Sequence, residues 1–368
     1  MTAAISAEDQ AHMARALELA ARGLYTTDPN PRVGCVLVRA GLTLGEGWHE
    51  RAGEAHAEIA ALRAAGGSVA GATAYVTLEP CSHTGRTPPC VDALIAAGIR
   101  RVVCSSRDPN PKVAGDGIKR LQAAGIAVSV GVLAGEARAL NAGFFSRFER
   151  ARPLIRLKLA MSLDARTAPA QSEGESGRMW ISGEESRADV QSWRARSSAI
   201  LTGAGTVRVD DPRLDVRLAY GPWVRQPLRV LLDPALSCSP SAQIFRGGGA
   251  LVFAAADASP PLAAHFSVER VAAAGHELDL RAVIARLMLR EVNELWVECG
   301  PRLAAAFLQA RLIDELIVYV APILLGADAA PLTALRGLDS KGPLPTFEFK
   351  SLQRMGADLR LMLTPKGP

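Results

Sequence analysis

Apolar and polar positions along the chain switch repeatedly between two periods. Short apolar runs at 33–38, 73–78, 101–105 and 127–132 have the length and β-branched content of strands. Between them the apolar residues recur at helical spacing, near 58–65, 90–97 and 118–124. The last two helices are closed by Gly98 and Gly125, where a left-handed residue commonly ends a helix. The chain opens on Ser6-Ala7-Glu8-Asp9 followed by Met13, Ala16, Leu17 and Ala20, a capped amphipathic helix with acidic residues in its first turn. One further helix is predicted over 136–148. Helices and short strands in alternation predict an α/β layer fold.

Glu149-Arg150-Ala151-Arg152-Pro153 is charged and ends on proline, and it predicts a boundary between a first domain, 1–150, and a second, 151–368. The alternation then resumes. Strands are predicted at 154–159, 199–202, 228–232, 250–254, 294–297 and 315–320, and helices at 184–196, 280–290 and 303–309. Residues 347–363, with Gly356-Ala357-Asp358 in the middle, predict a hairpin, and the glycine- and serine-rich 169–177 a loop.

Composition narrows the class. A chain of 368 residues with 49% hydrophobic and 21% charged residues is globular and long enough for two or three domains. Its longest apolar stretch, 316–325, is far short of the roughly 20 residues that span a bilayer. The opening helix lacks the charged and apolar regions of an export signal, so a cytoplasmic protein without a membrane partner is expected. The net charge of +5 comes without a dense Lys/Arg run, which fits an ordinary solvated surface and no nucleic-acid partner. The six cysteines lack the spacing of a secreted disulfide framework, so a cysteine with a task is expected to bind metal or react. Cys35, Cys104, Cys238 and Cys299 sit in or beside apolar runs, where packing is expected. His12, His265 and His276 read as surface or satisfied core histidines.

The strongest chemical signal is His56-Ala57-Glu58 followed by Pro80-Cys81 and Cys90. One imidazole and two thiolates give zinc three ligands and leave the fourth tetrahedral position open. Glu58, two residues from a ligand but not itself one, suits the proton shuttle that a hydrolytic metal site needs. Nucleobase deaminases carry this chemistry as H-x-E with P-C-x-x-C. Here the cysteines are farther apart, but Cys90 follows Pro88-Pro89 and opens a predicted helix, where the helix end favours a thiolate. A structural zinc site normally takes four protein ligands, and only three occur locally.

In the second half, Gly203-Ala204-Gly205-Thr206 and Glu298-Cys299-Gly300-Pro301 each follow a predicted strand. The second arrangement, strand end, glycine and helix start, suits a phosphate. Neither is a G-x-G-x-x-G with its acidic follower, so a Rossmann reading is disfavoured.

Several longer segments carry a specific resemblance. Thr27-Asp28-Pro29-Asn30-Pro31, Val33-Gly34-Cys35-Val36, Gly45-Glu46-Gly47-Trp48-His49, the run from Thr77 through Cys81 to Cys90, and Asp108-Pro109-Asn110-Pro111 resemble the bifunctional riboflavin-biosynthesis deaminase/reductases. The wide cysteine spacing is that family's own form of the zinc motif. In the second half Lys158-Leu159-Ala160-Met161-Ser162-Leu163-Asp164, Trp180-Ile181-Ser182, Gly205-Thr206-Val207, Asp210-Asp211-Pro212 and Glu298-Cys299-Gly300-Pro301 continue the same order.

The resemblance implies a cytidine-deaminase-like α/β/α domain followed by a dihydrofolate-reductase-like α/β domain. It implies one zinc, held by His56, Cys81 and Cys90, with Glu58 as the catalytic acid and base. Asn30, His49 and Arg86 would hold a phosphorylated pyrimidine. The first reaction would remove the 2-amino group of 2,5-diamino-6-(5-phosphoribosylamino)pyrimidin-4-one, and the second would reduce the ribosyl chain to ribityl with NADPH. Ala160, Trp180, Thr206, Asp210 and the run Gly300, Pro301, Arg302, Leu303, Ala304, Ala305 and Ala306 would contact NADPH. Ser176, Arg194, Leu214, Arg217 and Glu298 would contact the second substrate, and a homo-oligomer is expected. Small residues differ from the family pattern around Ala160, Met161 and Ala165, and residues 172–179 form a longer stretch before Trp180. The proton donor of the reduction is Lys158, Asp210 or Glu298. The competing readings are a nucleoside or tRNA deaminase with an accessory domain, a protein that keeps zinc only as a staple, and a family member that has lost one activity. The modest charge opposes RNA binding, and an open ligand position beside Glu58 opposes a staple.

Overall fold

Ser6 Oγ accepts the Asp9 backbone N–H at 3.1 Å and the Asp9 carboxylate accepts the Ser6 N–H at 3.0 Å, so the first helix, α1 (Ala7–Ala21), begins in a capping box. Asp9 is itself buried and receives Arg101 Nη1 at 2.7 Å and the Tyr75 hydroxyl at 3.1 Å, which ties the helix start to the sheet beneath it. The computed structural model describes residues 5–83, 88–170, 179–217, 224–259, 266–274, 277–338 and 344–366. Arg86, Ser176, His265 and His276 lie outside the described residues. The chain divides into two compact units, Met1–Arg152 and Pro153–Pro368.

In the first unit, β1 (Gly34–Arg39), β2 (Leu42–Trp48), β3 (Thr73–Val76), β4 (Arg101–Cys104) and β5 (Ala127–Val130) form one sheet in the order β2-β1-β3-β4-β5. β1 is antiparallel to β2 and β3, whereas β3, β4 and β5 are parallel. The helices are α2 (Ala57–Ala65), α3 (Cys90–Ala96), α4 (Asp116–Ala123), α5 (Ala134–Leu140) and α6 (Ala142–Glu149). Side-chain alternation builds the three layers. Cys35 and Leu37 of β1 join Ala57 and Ala61 of α2, Leu94 of α3 and Leu121 of α4 on one face. Val36 and Val38 join Met13, Ala16 and Leu19 of α1 on the other.

Two local readings differ from expectation. β2 has no clear apolar alternation because Gly45 and Gly47 face α2. A Cβ on Gly45 would lie 2.3 Å from the Ala61 carbonyl oxygen, and one on Gly47 2.3 Å from the Ala61 nitrogen. Their absence lets strand and helix backbones touch and fixes the helix that carries Glu58. The single helix expected over 136–148 is two, which meet where the backbone leaves helical dihedrals (φ −112°, ψ 23°) at Asn141. Its Oδ1 accepts the Arg32 N–H at 2.8 Å and its Nδ2 donates to the Arg32 carbonyl at 2.9 Å.

The second unit contains β6 (Leu154–Met161), β7 (Arg166–Ala168), β8 (Ala199–Gly203), β9 (Leu228–Leu232), β10 (Ala250–Ala255), β11 (Ser267–Val271), β12 (Ala273–Ala274), β13 (Glu277–Leu278), β14 (Glu294–Glu298), β15 (Glu315–Val320), β16 (Ala330–Pro331), β17 (Phe347–Met355) and β18 (Asp358–Pro365). Its nine-stranded sheet runs β11-β10-β9-β8-β14-β6-β15-β18-β17. The strands from β11 to β15 are parallel, and β18 and β17 close the edge as the expected antiparallel hairpin. β12 with β13 and β7 with β16 make two short ribbons. α7 (Glu184–Arg196), α8 (Ala204–Asp210), α9 (Leu280–Leu289) and α10 (Pro301–Gln309) complete the unit.

Alternate residues of the central strands again serve two cores. Leu157, Leu201, Leu295 and Val297 pack with Val283 of α9 and Phe307 of α10, and Ile200, Trp296 and Tyr319 pack with Trp193 of α7 and Val207 of α8. The segment after Gly203, which could have been a glycine turn, is the helix α8. Among the described residues no helix is long and apolar enough to cross a membrane.

The close approach of β2 to α2 can be tested by adding a methyl. Gly47→Ala should destabilise the first unit by roughly 1–3 kcal/mol, the cost of overpacking. Gly135→Ala in α5, where a Cβ meets nothing within 4 Å, should be neutral or slightly stabilising. Thermal unfolding of the full chain compares them, and equal midpoints would contradict the contact.

Candidate functional site

β2 and β3 run in the same direction, since each is antiparallel to β1, so α2 and α3 start at one edge of the sheet. His56 is the N-cap residue of α2 and Cys90 the first residue of α3. Cys81 comes just beyond the end of β3, on the way to α3. The donor atoms of His56, Cys81 and Cys90 lie within 4.8 Å of one another, and among the described residues no other His, Cys, Asp and Glu group converges in this way. His56 Nδ1 is 3.2 Å from Cys90 Sγ and 3.5 Å from Cys81 Sγ. Tetrahedral zinc with ordinary ligand bonds needs edges of about 3.6 Å, so the donor set fits that ion with little adjustment.

The first amide of α3 contributes directly, because Cys90 N–H donates to Cys81 Sγ at 3.3 Å. Hydrogen bonding from the Cys90 thiol, and then from His56, holds the Cys81 thiol well below the ordinary range.

Glu58 occupies the first turn of α2 and is only 3% exposed. Burial pushes its carboxyl up to about 7, against the opposing pull of His56. That range suits a group that must accept and return protons near neutrality. Beside it, Asn30 Nδ2 donates to His49 Nε2 at 3.0 Å, and His49 Nδ1 meets the Ala55 carbonyl at 3.0 Å. Because the carboxamide nitrogen only donates, His49 carries its proton on Nδ1. Burial lowers its pKa, keeping the ring neutral, and the ring stands edge-on to His56 with centroids 5.3 Å apart. Asn30, His49, His56 and Glu58 are thus one cluster.

Two acids of the same region had no assigned role. Burial lifts Asp108 to about 7, with the nearby Glu79 and Cys81 adding to the rise. The Glu79 carboxylate is buried and, among the described residues, accepts only backbone N–H groups. Nothing in their spacing distinguishes them, since their partners are main-chain amides. Of the other cysteines, Cys35, Cys104 and Cys238 are buried and Cys299 is half-buried.

The second unit gathers its charges at the ends of parallel strands. Lys158 of β6 pairs in register with Glu298 of β14. Arg194 of α7 grips that carboxylate twice, Nε to Oε1 at 2.6 Å and Nη2 to Oε2 at 2.8 Å, and Trp296 Nε1 adds a third bond at 2.8 Å. Burial alone would raise Glu298, but Arg194, Lys158 and Trp296 hold it at about 2. Burial lowers the Lys158 pKa, with Glu298 and Asp210 opposing.

α8 and α10 start side by side. The Gly203 position packs on Leu303, and a Cβ at Gly300 would be 3.9 Å from Thr206 Oγ1. Within the 300–306 run, Ala304 and Ala305 turn their side chains into the core, which leaves the main chain of the first turn for a ligand. Pro301 stands at its start, where no N–H is needed. Ala160 is half-buried on β6. Trp180 is 52% exposed under Arg187. The Leu214 side chain is buried in the core, so only its main chain is available to a substrate, and Arg217 is exposed with Asp215 at 3.7 Å. Asp164 serves the fold, accepting the Gly326 N–H at 2.7 Å.

Comparison with known proteins places these features in context. The family model of the cytidine and deoxycytidylate deaminase zinc-binding region matches residues 6–106, and that of the RibD C-terminal domain matches 153–361. The riboflavin biosynthesis protein RibD of Escherichia coli is 49% identical, with 97% of this chain and 99% of that protein aligned. Its counterpart in Haemophilus influenzae is 44% identical over 98% and 99%. Among solved structures, Acinetobacter baumannii RibD superposes with a TM-score of 0.90 at 40% identity, covering 98% of this chain and 99% of the other. The Thermotoga maritima diaminohydroxyphosphoribosylaminopyrimidine deaminase/5-amino-6-(5-phosphoribosylamino)uracil reductase gives 0.85 at 33% identity with the same coverage.

The converging donor atoms predict one zinc per chain. Elemental analysis should find it in the parent protein and not in Cys81→Ser. A mutant that kept its full zinc would remove Cys81 from the ligand set.

Proposed function

This chain belongs to the RibD family and is a bifunctional deaminase and reductase of riboflavin biosynthesis, and from that premise we propose how its residues divide the two reactions. The observation that carries the proposal is the buried carboxyl of Glu58 beside three converging metal donors. His56, Cys81 and Cys90 would hold zinc. Zinc so bound would acidify water enough to provide a strong nucleophile near neutral pH.

The first substrate is 2,5-diamino-6-(5-phosphoribosylamino)pyrimidin-4-one. Asn30 and the neutral His49 orient its ring, and Arg86 meets its phosphate. Glu58 takes a proton from the attacking water and gives it to the ring nitrogen, then takes the second proton from the hydroxyl of the tetrahedral adduct and gives it to the departing amine. Water is consumed, the bond from ring carbon to nitrogen breaks, and ammonia leaves with the uracil as product. A carboxyl with pKa near the working pH can move in both directions of this cycle.

In the second unit NADPH would supply the hydride that converts the ribosyl chain to ribityl. The amides opening α10, with Ala160, Trp180, Thr206 and Asp210, would hold the cofactor. Arg194, Arg217, Ser176, the main chain at Leu214 and Glu298 would hold the substrate. Glu298 stays ionised between Arg194 and Lys158, so it acts as the fixed anion of the site rather than as its proton donor. Lys158, an ammonium weakened by burial, is the group suited to protonate the opened sugar. The cytoplasmic setting that the opening helix suggested, and the self-association expected of the chain, remain part of this proposal.

With a boundary near Arg152-Pro153 the two chemistries should separate by mutation. Glu58→Gln should keep zinc and lose deamination by about 10²-fold or more. It should still oxidise NADPH when given 5-amino-6-(5-phosphoribosylamino)uracil. Glu298→Ala should instead accumulate that uracil from the diamino compound. Nicotinamide absorbance and product chromatography follow both, and loss of uracil reduction in folded, zinc-loaded Glu58→Gln would contradict separate sites.

A further inference from the structure

α4 starts without a capping side chain. Its N-cap residue is Gly115, with φ 93°, and the N–H groups of its first turn need acceptors from elsewhere. Asp116 N–H finds the Val113 carbonyl, and the Gly115 and Ile118 N–H groups find Glu79, 36 residues away from Gly115 in sequence. Glu79 Oε2 accepts Gly115 N–H at 3.1 Å and Asp108 N–H at 3.2 Å, and Oε1 accepts Ile118 N–H at 3.2 Å. The carboxylate is 4% exposed, and its hydrogen bonds go to main-chain amides of one segment.

The approach is close enough to require glycine. A Cβ on Gly117 would lie 2.2 Å from the Pro80 carbonyl oxygen and 3.1 Å from Glu79 Oε1. Glu79 and Pro80 lead directly into the ligand Cys81. Arg120 of α4 closes the other side, with Nη1 donating to the Ser82 carbonyl at 2.7 Å and Nη2 paired with Asp92 of α3. The segment 108–118 is therefore clamped on both flanks of Cys81, and Asp108 comes within electrostatic reach of that sulfur. The strand extension bearing Glu79 has its own support, since Thr77 N–H reaches Gly34 and Glu79 N–H reaches Ser106. The carboxylate is thus not needed to place Cys81 itself.

We propose that Glu79 is a positioning residue of the deaminase, whose buried carboxylate holds segment 108–118 beside the metal centre as one wall of the pyrimidine site. The assignment rests on reading the first unit as the deaminase. A carboxylate is required because every partner is a donor. Glutamine would present N–H groups to N–H groups on one of its two positions, and the segment would swing away from Cys81.

The test uses full-length, zinc-loaded protein with Glu79→Gln and, independently, Gly117→Ala, which displaces the same segment while leaving Glu79 a carboxylate. Each should raise the deaminase KM for the diaminopyrimidine phosphate by about tenfold or more, the scale of one charge-assisted hydrogen bond. Zinc content and uracil reduction by the second unit should match the parent, and kcat should fall less than KM rises. Hydrogen exchange at the amides of Asp108, Gly115 and Ile118 should quicken in Glu79→Gln. An unchanged KM in both variants would overturn the proposal. So would a fall in kcat alone that tracks loss of folded protein, or loss of zinc from Glu79→Gln, which would make Glu79 a support of the ligands instead. Should Glu79→Gln fail to fold, the KM of Gly117→Ala decides alone. A parent protein without deaminase activity would sink the reading of the site, while the exchange rates would still decide whether Glu79 holds the segment.

Discussion

A parallel strand must end where its connecting helix begins, and both candidate sites of this chain depend on that constraint. Helix starts then collect along one edge of each sheet, with main-chain N–H groups and first-turn side chains facing a shared space. In the first unit the starts of α2 and α3 supply His56, Glu58 and Cys90, and Cys81 arrives on the strand exit between them. In the second unit the starts of α8 and α10 meet at the ends of β8 and β14.

The two units use that edge differently. The metal centre is assembled by close backbone contacts, with Gly45 and Gly47 seating α2 on β2 and Gly117 seating α4 on Pro80. Two of its acids, Glu58 and Asp108, are lifted toward neutrality by desolvation. The second unit instead buries a charged pair, Arg194 with Glu298, and sets Lys158 beside it. Such a pair is costly to desolvate and has weak value for stability. Under the proposed assignment its place at the strand ends offers fixed charge to the second substrate.

Much of this was legible in the sequence because buried parallel strands announce themselves as apolar runs and helices as apolar faces with glycine stops. The metal triad was legible because ligand chemistry restricts residue type and order. β2 was hidden because its glycines, chosen for contact with α2, erase the alternation that marks a strand. The break at Asn141 was hidden because its bonds to Arg32 join residues 109 positions apart. Glu79 was hidden in plain view within a recognised motif, since a carboxylate that caps a distant helix leaves no pattern in its partners. The role of Leu214 was narrowed only by burial, which removes its side chain from any cleft.

The central claim is that one chain carries out a hydrolytic and then a reductive step on one pyrimidine. Mass spectrometry of the diaminopyrimidine phosphate incubated with the protein in heavy-oxygen water, with and without NADPH deuterated on its transferable face, tests it most directly. Without cofactor the product should be the uracil carrying one heavy oxygen on the ring. With it, the ribityl compound should carry that oxygen and one deuterium on the side chain. A reduced product that kept its 2-amino group, or a uracil without label, would contradict the account.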